Sequence, residues 1–485
     1  MRAFTPTIFL DPASRQPTYL QIAQALMAEI HRGRFQPGDR LPGYRALAEQ
    51  LGVSRTTALA AYGELQSGGW VASTPGEGSV VAPDPPRALP GAGAPAPPPA
   101  GPGFDLAPDG PQLPGKVAAS VLEVATGVPD PRLVPGAALA RAYRRALTVN
   151  PLAALDADDL RGHPCLRAAL GRHLTATRGI PAAPETLLVT RGSQMAFFLA
   201  AQALFVPGDH VAVEALGDRG VWDAFTHAGA RCLPVPVDRG GLDVEALATL
   251  AGQTRLRAVL VSPQRQYPTL AVLAPERRRR LLELAAAHRF AVLESDLDSE
   301  FQLDGRPVAP LAAADPAGVV IHFGVLSKIF SPGLRLGVVR APAAFVERLR
   351  QQRLVLDRQG DPVLERAMAE LLDDGEVQRH VNRMHLIFRR RRDALCAALA
   401  RELGDSIEAP RPAGGLSLWV TVRAGLDVDA WAARALRLGV SFRPGRQFAF
   451  DGAPVQGFRI GYSNFAEPTL EDVAGRLGRA LREAA

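Results

Sequence analysis

The N-terminal part of the chain has apolar residues at helical spacing. Between residues 17 and 32 they recur every three or four positions, at Tyr19, Ile22, Leu26 and Ile30. This pattern predicts an amphipathic helix. Residues 43–51 predict a second, shorter helix, and Ser54 can cap a third helix that runs to about Ser67.

The third helix is followed by a pattern typical of paired strands. In that helix we expect Leu59, Tyr62 and Leu65 to form the buried stripe. Residues 70–82, WVASTPGEGSVVA, alternate around a Pro-Gly turn and predict a two-stranded hairpin. Three helices with a tight break before the third, followed by a hairpin, form a winged helix-turn-helix.

The rest of the chain alternates between short apolar runs and helical stretches. The stretch PERRRRLLELAAAH is one of the helices, and another begins near Gln194. This order predicts an α/β domain whose mostly parallel sheet is wrapped by helices. The predicted strands are LLVT (187–190), HVAVE (210–214), AVLV (258–261), FAVLES (290–295) and GVVIHF (318–323).

A proline-rich segment separates the two parts. Twelve of the 32 residues from Pro83 to Pro114 are proline, so this stretch can form neither a helix nor a central strand. We expect a tether over residues 83–115. The predicted organisation is a small domain at 1–82, the linker, and a large domain at 116–485.

Composition limits the kinds of protein that this chain can be. At 485 residues the chain is too long for a single core, and 47% hydrophobic content is typical of a globular protein. The net charge of +6 is compatible with an anionic partner. Three distant cysteines suggest neither a disulfide framework nor a metal site, so we expect a cytoplasmic protein without metal. We also expect no secretion signal and no membrane span.

Two places carry candidate chemistry for binding anions. The third helix begins with SRTT (54–57), and its hydroxyls, positive charge and helix dipole suit a DNA phosphate or a base edge. Arg45 lies at the start of the second helix, where a backbone phosphate would lie. In the large domain, Lys328 is one of only two lysines, the other being Lys116, among 55 basic residues.

Residues 18–82 resemble the GntR-type winged-helix DNA reader. They carry the frame GxxxPGxxLPxxRxLAxxLxVSRxTxxxAYxxL almost throughout, with Gly43 where the family has Ser. The resemblance implies binding to a double-stranded DNA operator. It also implies that the DNA contacts come from Arg45, Ser54, Arg55 and Thr57.

Residues 117–485 resemble fold-type I pyridoxal-phosphate aminotransferases. The segments LLVTRGSQMA, LSKIFSPGLRLG and GFRIGYSN carry this likeness. An aminotransferase-like domain joined to a GntR-type head resembles the MocR/GabR group of regulators. The resemblance implies that Lys328 forms the internal aldimine with pyridoxal 5'-phosphate, for which an amine is needed because arginine cannot be deprotonated.

Other family positions are also present. By resemblance, Arg335 grips the cofactor phosphate, and Arg459 binds the carboxylate of an amino-acid-like ligand. The turn that cradles the phosphate consists of Gly192, Ser193 and Gln194.

The chain departs from the family at five positions around the cofactor ring. Ser295 replaces the Asp that pairs with the pyridine nitrogen, and Leu297 replaces a Tyr at the phenolic oxygen. Because side chains alternate along a strand, Asp296 points away from these two and is a poor substitute for the missing acid. The other three departures are Asp218 for a stacking aromatic residue, Val325 for a phosphate-binding Ser, and Arg265 for a His.

These features predict a ligand-responsive transcription factor. The winged helix would read an operator, and the aminotransferase-like domain would form a homodimer, with exchanged heads by resemblance, and sense a small ligand. Without the acid at position 295 the ring is a poor electron sink, so efficient transamination is not expected. The alternatives are a working aminotransferase with an appended DNA-binding head, and a large domain that only dimerises the heads and binds nothing.

Overall fold

The two parts of the chain form separate structural units. The computed structural model describes residues 8–74, 78–86, 104–106, 118, 120–124, 127–149, 159–298 and 300–483. It divides into the units Met1–Asp109 and Gly110–Ala485. This division falls within the predicted linker, most of which lies outside the described residues, so the limits 83–115 remain a prediction.

The first unit has the predicted winged-helix elements. The strands pair antiparallel, with Val71 opposite Val81. The turn predicted between them, at residues 75–77, lies outside the described part of the chain. The elements are α1 (Thr18–His31), α2 (Tyr44–Leu51), α3 (Arg55–Ser67), β1 (Val71–Thr74) and β2 (Gly78–Val81).

The core of this unit lies where α1 packs on α3. Ile22 and Leu26 are fully buried, as the helical spacing predicts. Tyr62 and Leu65 of α3 are also buried, but Leu59 is 54% exposed, so the prediction that it lies in the buried stripe is wrong. Ala58 and Ala61 fill the interface instead. Small residues there let α3 approach α1 closely and turn Leu59 outward.

The second unit contains a large sheet and a smaller one. Its strands are, in chain order, β3 (Leu122–Glu123), β4 (Leu187–Thr190), β5 (His210–Glu214), β6 (Arg231–Val235), β7 (Val237–Asp238), β8 (Gly241–Leu242), β9 (Leu256–Val261), β10 (Ala291–Asp296), β11 (Val320–Val325), β12 (Gly337–Arg340), β13 (Ile407–Glu408), β14 (Ser417–Val422), β15 (Val440–Ser441), β16 (Arg443–Pro444) and β17 (Gly457–Gly461).

The large sheet has the strand order β4-β12-β11-β10-β9-β5-β6. Five predicted strands are present, and all pairs are parallel except those made by β12. This is the mostly parallel sheet that the sequence predicts. Strands β6 and β12 were not predicted.

Helices cover the sheets and complete the cores. Two of them match predicted helices, since α6 begins one residue before Gln194 and α9 spans the predicted fourteen residues. They are α4 (Gly136–Val149), α5 (Pro164–Arg178), α6 (Ser193–Leu204), α7 (Arg219–His227), α8 (Val244–Gln253), α9 (Pro275–His288), α10 (Ala343–Leu356), α11 (Pro362–Asp373), α12 (Glu376–Leu403), α13 (Val428–Arg437) and α14 (Glu467–Arg482).

The smaller sheet has its own core. It has the order β13-β14-β17-β16, is antiparallel, and packs with α12, α13 and α14 around Trp431, Phe388 and Phe458. Side chains on β16 and β17 enter the same cavity as loops that follow strands of the large sheet. The site therefore lies where the two sheets meet.

We expect Leu26→Ala to destabilise the first unit by about 2–5 kcal/mol, because it removes a fully buried side chain from the α1–α3 interface. The matched control, Leu59→Ala, truncates an exposed leucine of α3 and should change stability by less than about 0.5 kcal/mol. Hydrogen exchange of α1 and α3 amides in the full-length protein measures both effects. Equal effects of the two substitutions would contradict this assignment of the core.

Candidate functional site

Lys328 lies in a loop after β11 and lines a cavity of about 220 Å³. The cavity is also lined by Ser193 at the start of α6, Asp218 before α7, and Arg459 of β17. Burial lowers the pKa of the Lys328 amine, whereas the carboxylate of Asp298 opposes that shift. The structure thus brings Lys328 and Arg459 into one cavity. The other lysine, Lys116, lies outside the described residues.

Asp298 is the carboxylate that balances this cluster of cations. Burial would raise its pKa, but the charges of Lys328, Arg265 and Arg459 outweigh burial and hold the pKa below its ordinary value. Arg265 lies 3.6 Å from the Asp298 carboxylate and donates hydrogen bonds to the Asp298 carbonyl oxygen and to Gln302 Oε1. The sequence did not identify Asp298, because this residue follows the end of β10 at Asp296. Beyond the strand, the alternation of side chains no longer predicts which way a side chain points.

The first turn of α6 forms an anion cradle. Gly192 caps this helix with φ of 81° and no side-chain hydrogen bond, so the first backbone N–H groups are free of an internal cap. The Arg335 guanidinium lies against Gly192, where a Cβ would come within 3.1 Å of Arg335 Cζ, and its Nη2 donates to the Arg191 carbonyl oxygen at 3.1 Å. Gln194 Nε2 donates to the Gly220 carbonyl oxygen at 2.6 Å. The helix dipole, these N–H groups and Arg335 together suit a phosphate.

The strand β10 presents alternate side chains to the cavity and to the scaffold. Ser295 and Leu297 line the cavity with Lys328. Asp296 accepts a hydrogen bond from Arg178 Nη2 at 2.6 Å, and Glu294 is fully buried within the scaffold. The acidic residue next to Ser295 is therefore bound elsewhere, as strand alternation predicts. Ser295 gives this part of the cavity wall a hydroxyl group. The resemblance to aminotransferases implies a carboxylate at the same position.

Asp218 and Val325 lie at two edges of the site. Asp218 lines the cavity and also caps α7, since its Oδ1 accepts a hydrogen bond from the Gly220 N–H at 2.9 Å. Trp222, one turn into α7, supplies an aromatic surface to the same cavity. Its indole N–H has no hydrogen-bond partner among the described residues. Val325 ends β11 and lines a smaller neighbouring space of about 30 Å³ with Lys328.

Arg459 is buried without a matching carboxylate. Its side chain is 4% exposed, its guanidinium lies over the Tyr267 ring with Cζ 4.6 Å from the centroid, and its Nε has no hydrogen-bond partner in the described part of the chain. No ion pair within 4 Å joins it to any described acid. A buried cation without a partner is costly unless an anion completes the site.

Glu214 lies at the carboxyl end of β5 and also lines the cavity. Burial raises its pKa to about 8, and its carboxylate accepts a hydrogen bond from the Ser262 N–H at 3.3 Å. The carboxyl group is therefore largely protonated at neutral pH. Sequence patterns did not reveal it, because a Glu at the end of an apolar strand gives no sign of its burial.

The predicted DNA-contacting residues cluster at the starts of α2 and α3. Ser54 Oγ caps α3 by accepting the Thr57 N–H at 3.1 Å, and it lies 2.7 Å from the hydroxyl oxygens of Thr56 and Thr57. Arg55 and Arg45 are exposed and make no ion pair with the described carboxylates. Arg45 lies beside Tyr44, with Nε donating to the hydroxyl at 3.3 Å. Ser54 thus orders the helix start, while the two arginines are available to a polyanion.

The described helices include none long and apolar enough to cross a membrane. Within the described ranges, no group of three His, Cys, Asp or Glu side chains is arranged to hold a metal ion.

We expect buried Glu214 to contribute stability that is lost as pH rises from about 5 to 8, and Glu214→Gln to remove this contribution. The folded state keeps the Glu214 proton up to a pKa of about 8, whereas the ordinary value is 4.5, so the folded state binds more protons in this window. Melting temperatures of both proteins between pH 5.5 and 8.5 test this. The control Glu276→Gln, at an exposed position of α9, should keep the pH dependence of the wild type, and an unchanged slope in Glu214→Gln would contradict the assignment.

Both parts of the chain match known families. Residues 18–81 match bacterial regulatory proteins of the gntR family, and residues 155–477 match aminotransferase class I and II. The structure of LysN, the alpha-aminoadipate aminotransferase of Thermus thermophilus, complexed with N-(5'-phosphopyridoxyl)-L-leucine, superposes with a TM-score of 0.70 at 30% identity. The superposition covers 75% of this chain and 93% of the LysN chain.

Two regulators match the chain over almost its whole length. The probable rhizopine catabolism regulatory protein MocR of Rhizobium meliloti is 30% identical, covering 98% of this chain and 96% of that protein. The HTH-type transcriptional regulator TauR of Rhodobacter capsulatus is 33% identical, covering 98% and 99%. These matches confirm the resemblance and the fold class predicted from the sequence. The chain belongs to the MocR-type regulators of the GntR family, and it is a DNA-binding transcriptional regulator with an aminotransferase-like domain.

Proposed function

We propose that the aminotransferase-like unit is the sensor of this regulator, and that it binds an amino-acid-like carboxylate beside Lys328. The buried, unpaired guanidinium of Arg459 carries this proposal. The Tyr267 ring and the backbone at Gly127 hold it in place, since a Cβ at Gly127 would come within 3.1 Å of Arg459 Nη2. An oriented guanidinium suits a carboxylate because its planar fork can donate two parallel hydrogen bonds.

The same cavity fits pyridoxal 5'-phosphate at its phosphate and amine ends. Gly192, Ser193, Gln194 and Arg335 would hold the phosphate at the start of α6. Lys328 offers an amine whose pKa is lowered by burial, which favours the neutral, nucleophilic form. When bound, the cofactor supplies an aldehyde that reacts with amines. Binding there would give the sensor a way to recognise the amine of its ligand as well as the carboxylate.

The other end of the cavity favours binding over turnover. Ser295 offers a hydroxyl in place of a carboxylate, so nothing at this position keeps a pyridine nitrogen protonated. Leu297 adds an apolar wall where a phenolic hydroxyl would donate. A regulator needs only a ligand whose affinity differs between two arrangements of the protein, not a rapid reaction.

In this proposal the protein acts in the cytoplasm as a homodimer with exchanged heads. A two-fold symmetric dimer presents two winged helices to two half-sites of a double-stranded operator. Ligand binding would change operator affinity if the ligand binds the DNA-binding arrangement of the two heads and the other arrangement with different affinities. The largest possible change equals the ratio of those two affinities.

Pyridoxal phosphate added to the purified protein should produce a visible absorption band that Lys328→Ala abolishes. Lys116→Ala is the matched control, because it removes the only other lysine of the chain and should keep the band. Absence of a band in the wild type, or a band that survives in Lys328→Ala, would contradict cofactor attachment at Lys328.

Turnover and operator binding separate the rival functions. Steady conversion of amino donors and keto acids would favour the working aminotransferase. A large domain that only joins two heads would show no change in melting temperature or operator affinity with any amino acid, carboxylate or pyridoxal phosphate. The proposed sensor predicts that such ligands shift both quantities with little or no turnover.

Arg55→Ala should weaken sequence-specific DNA binding by about 1–3 kcal/mol if Arg55 contacts a base edge. The site recovered by in vitro selection with the full-length protein provides the probe. Arg32→Ala is the control, since Arg32 pairs with Glu29 at 2.8 Å on α1 and should leave affinity unchanged. Unchanged affinity in Arg55→Ala would show that the start of α3 is not the reading surface.

A further inference from the structure

A second arginine faces the cavity next to Arg459. Arg443 of β16 lies directly opposite Arg459 of β17 in an antiparallel ladder, and both line the cavity with Lys328. Directly opposite residues point to the same face of a sheet with Cβ atoms about 4.5–5.5 Å apart, and like charges in such a pair are destabilising. The fold thus directs both arginine side chains to the same face of the sheet and into one cavity.

No acid of the described chain forms an ion pair with either arginine of this pair. The Arg443 side chain is half-buried and makes no ion pair or hydrogen bond with the described residues. Arg459 is buried with an unpartnered Nε. The Asp298 carboxylate lies 3.6 Å from Arg265 instead.

The remaining acids of the cavity leave an excess of positive charge. Asp218 accepts the hydrogen bond that caps α7. Glu214 is largely protonated at neutral pH, because burial raises its pKa to about 8. Among the described residues that line the cavity, the two guanidinium groups of Arg443 and Arg459 therefore outnumber the one remaining carboxylate, Asp218.

We propose that the ligand carries two acidic groups, one bound by Arg459 and the second by Arg443. This inference rests on the proposed sensor function and names the class of its ligand, a dicarboxylate-type amino acid. One carboxylate uses the fork of Arg459, which the Tyr267 ring orients. The fork of Arg443 then remains available, and a second anion offsets the cost of holding two cations together. Arg443 is the specificity-determining residue.

Calorimetry on the full-length protein tests this class. The probes are succinate, glutarate and adipate, each compared with the monocarboxylate of the same carbon number. In the wild type, at least one dicarboxylate should bind about tenfold more tightly than its partner, the gain expected from one additional charge-assisted contact.

Arg443→Gln should bring the matched acids within about twofold of each other while leaving the monocarboxylate affinity unchanged. Arg446→Gln is the control, because Arg446 lies three residues further along the same segment, is 53% exposed and faces Asp429 at 3.6 Å. It should keep the preference for two acids.

The outcomes separate this inference from the sensor proposal. Monocarboxylates that bind as well as dicarboxylates, or a preference that survives in Arg443→Gln, would overturn the assignment of Arg443 and leave the sensor intact. Inorganic phosphate binding more tightly than every dicarboxylate, and lost in Arg443→Gln, would show one compact dianion instead of two separate acids and would also overturn it. If neither class of acid binds, both proposals fail.

Discussion

The buried positive charge between the two sheets is the constraint on which the second unit depends. Lys328 and Arg459 line one cavity. Their charges, with that of Arg265, lower the pKa of the Asp298 carboxyl. Charges held away from water are stable only when opposite charges or hydrogen bonds compensate for lost hydration. Here the compensation from the described chain is incomplete, which is why we propose that the cavity binds anions.

The scaffold explains why these groups meet. Ser295 lies near the carboxyl end of β10, and Lys328 follows the neighbouring parallel strand β11. The carboxyl ends of such strands share one edge of a sheet, where α/β proteins bind their ligands. The start of α6 adds N–H groups to that edge, and the smaller sheet contributes Arg459 from the opposite side. Ser193 at the start of α6, Lys328 after β11 and Arg459 of β17 thus reach one cavity from different parts of the fold.

The same scaffold can serve an enzyme or a sensor, and the difference lies in a few side chains. Ser295 and Leu297 remove the groups that control the electronics of a pyridine ring without removing those that hold a phosphate or an amine. A cavity that has an amine and a guanidinium but Ser295 and Leu297 in its wall agrees with the proposed sensor, since a transcription factor responds to occupancy of a site and not to a product.

The sequence alone determined the local structure and the chemical identity of the site. Hydrophobic spacing predicted strand β5 and helix α9. The alternation of side chains along β10 predicted that Asp296 points away from Ser295, and Asp296 is bound by Arg178. The rarity of lysine singled out Lys328, and the resemblance to aminotransferases linked it to Arg335 and Arg459.

The tertiary structure decided what depends on packing between distant segments. Leu59 is exposed because alanines fill the α1–α3 interface, which helical periodicity cannot reveal. Trp222 and Arg443 line the cavity only because loops and strands far apart in the chain enclose it, and Asp298 lies beside Lys328 in a neighbouring space for the same reason. Periodicity records which face of an element is apolar, whereas electrostatic coupling depends on distances that only the folded chain sets.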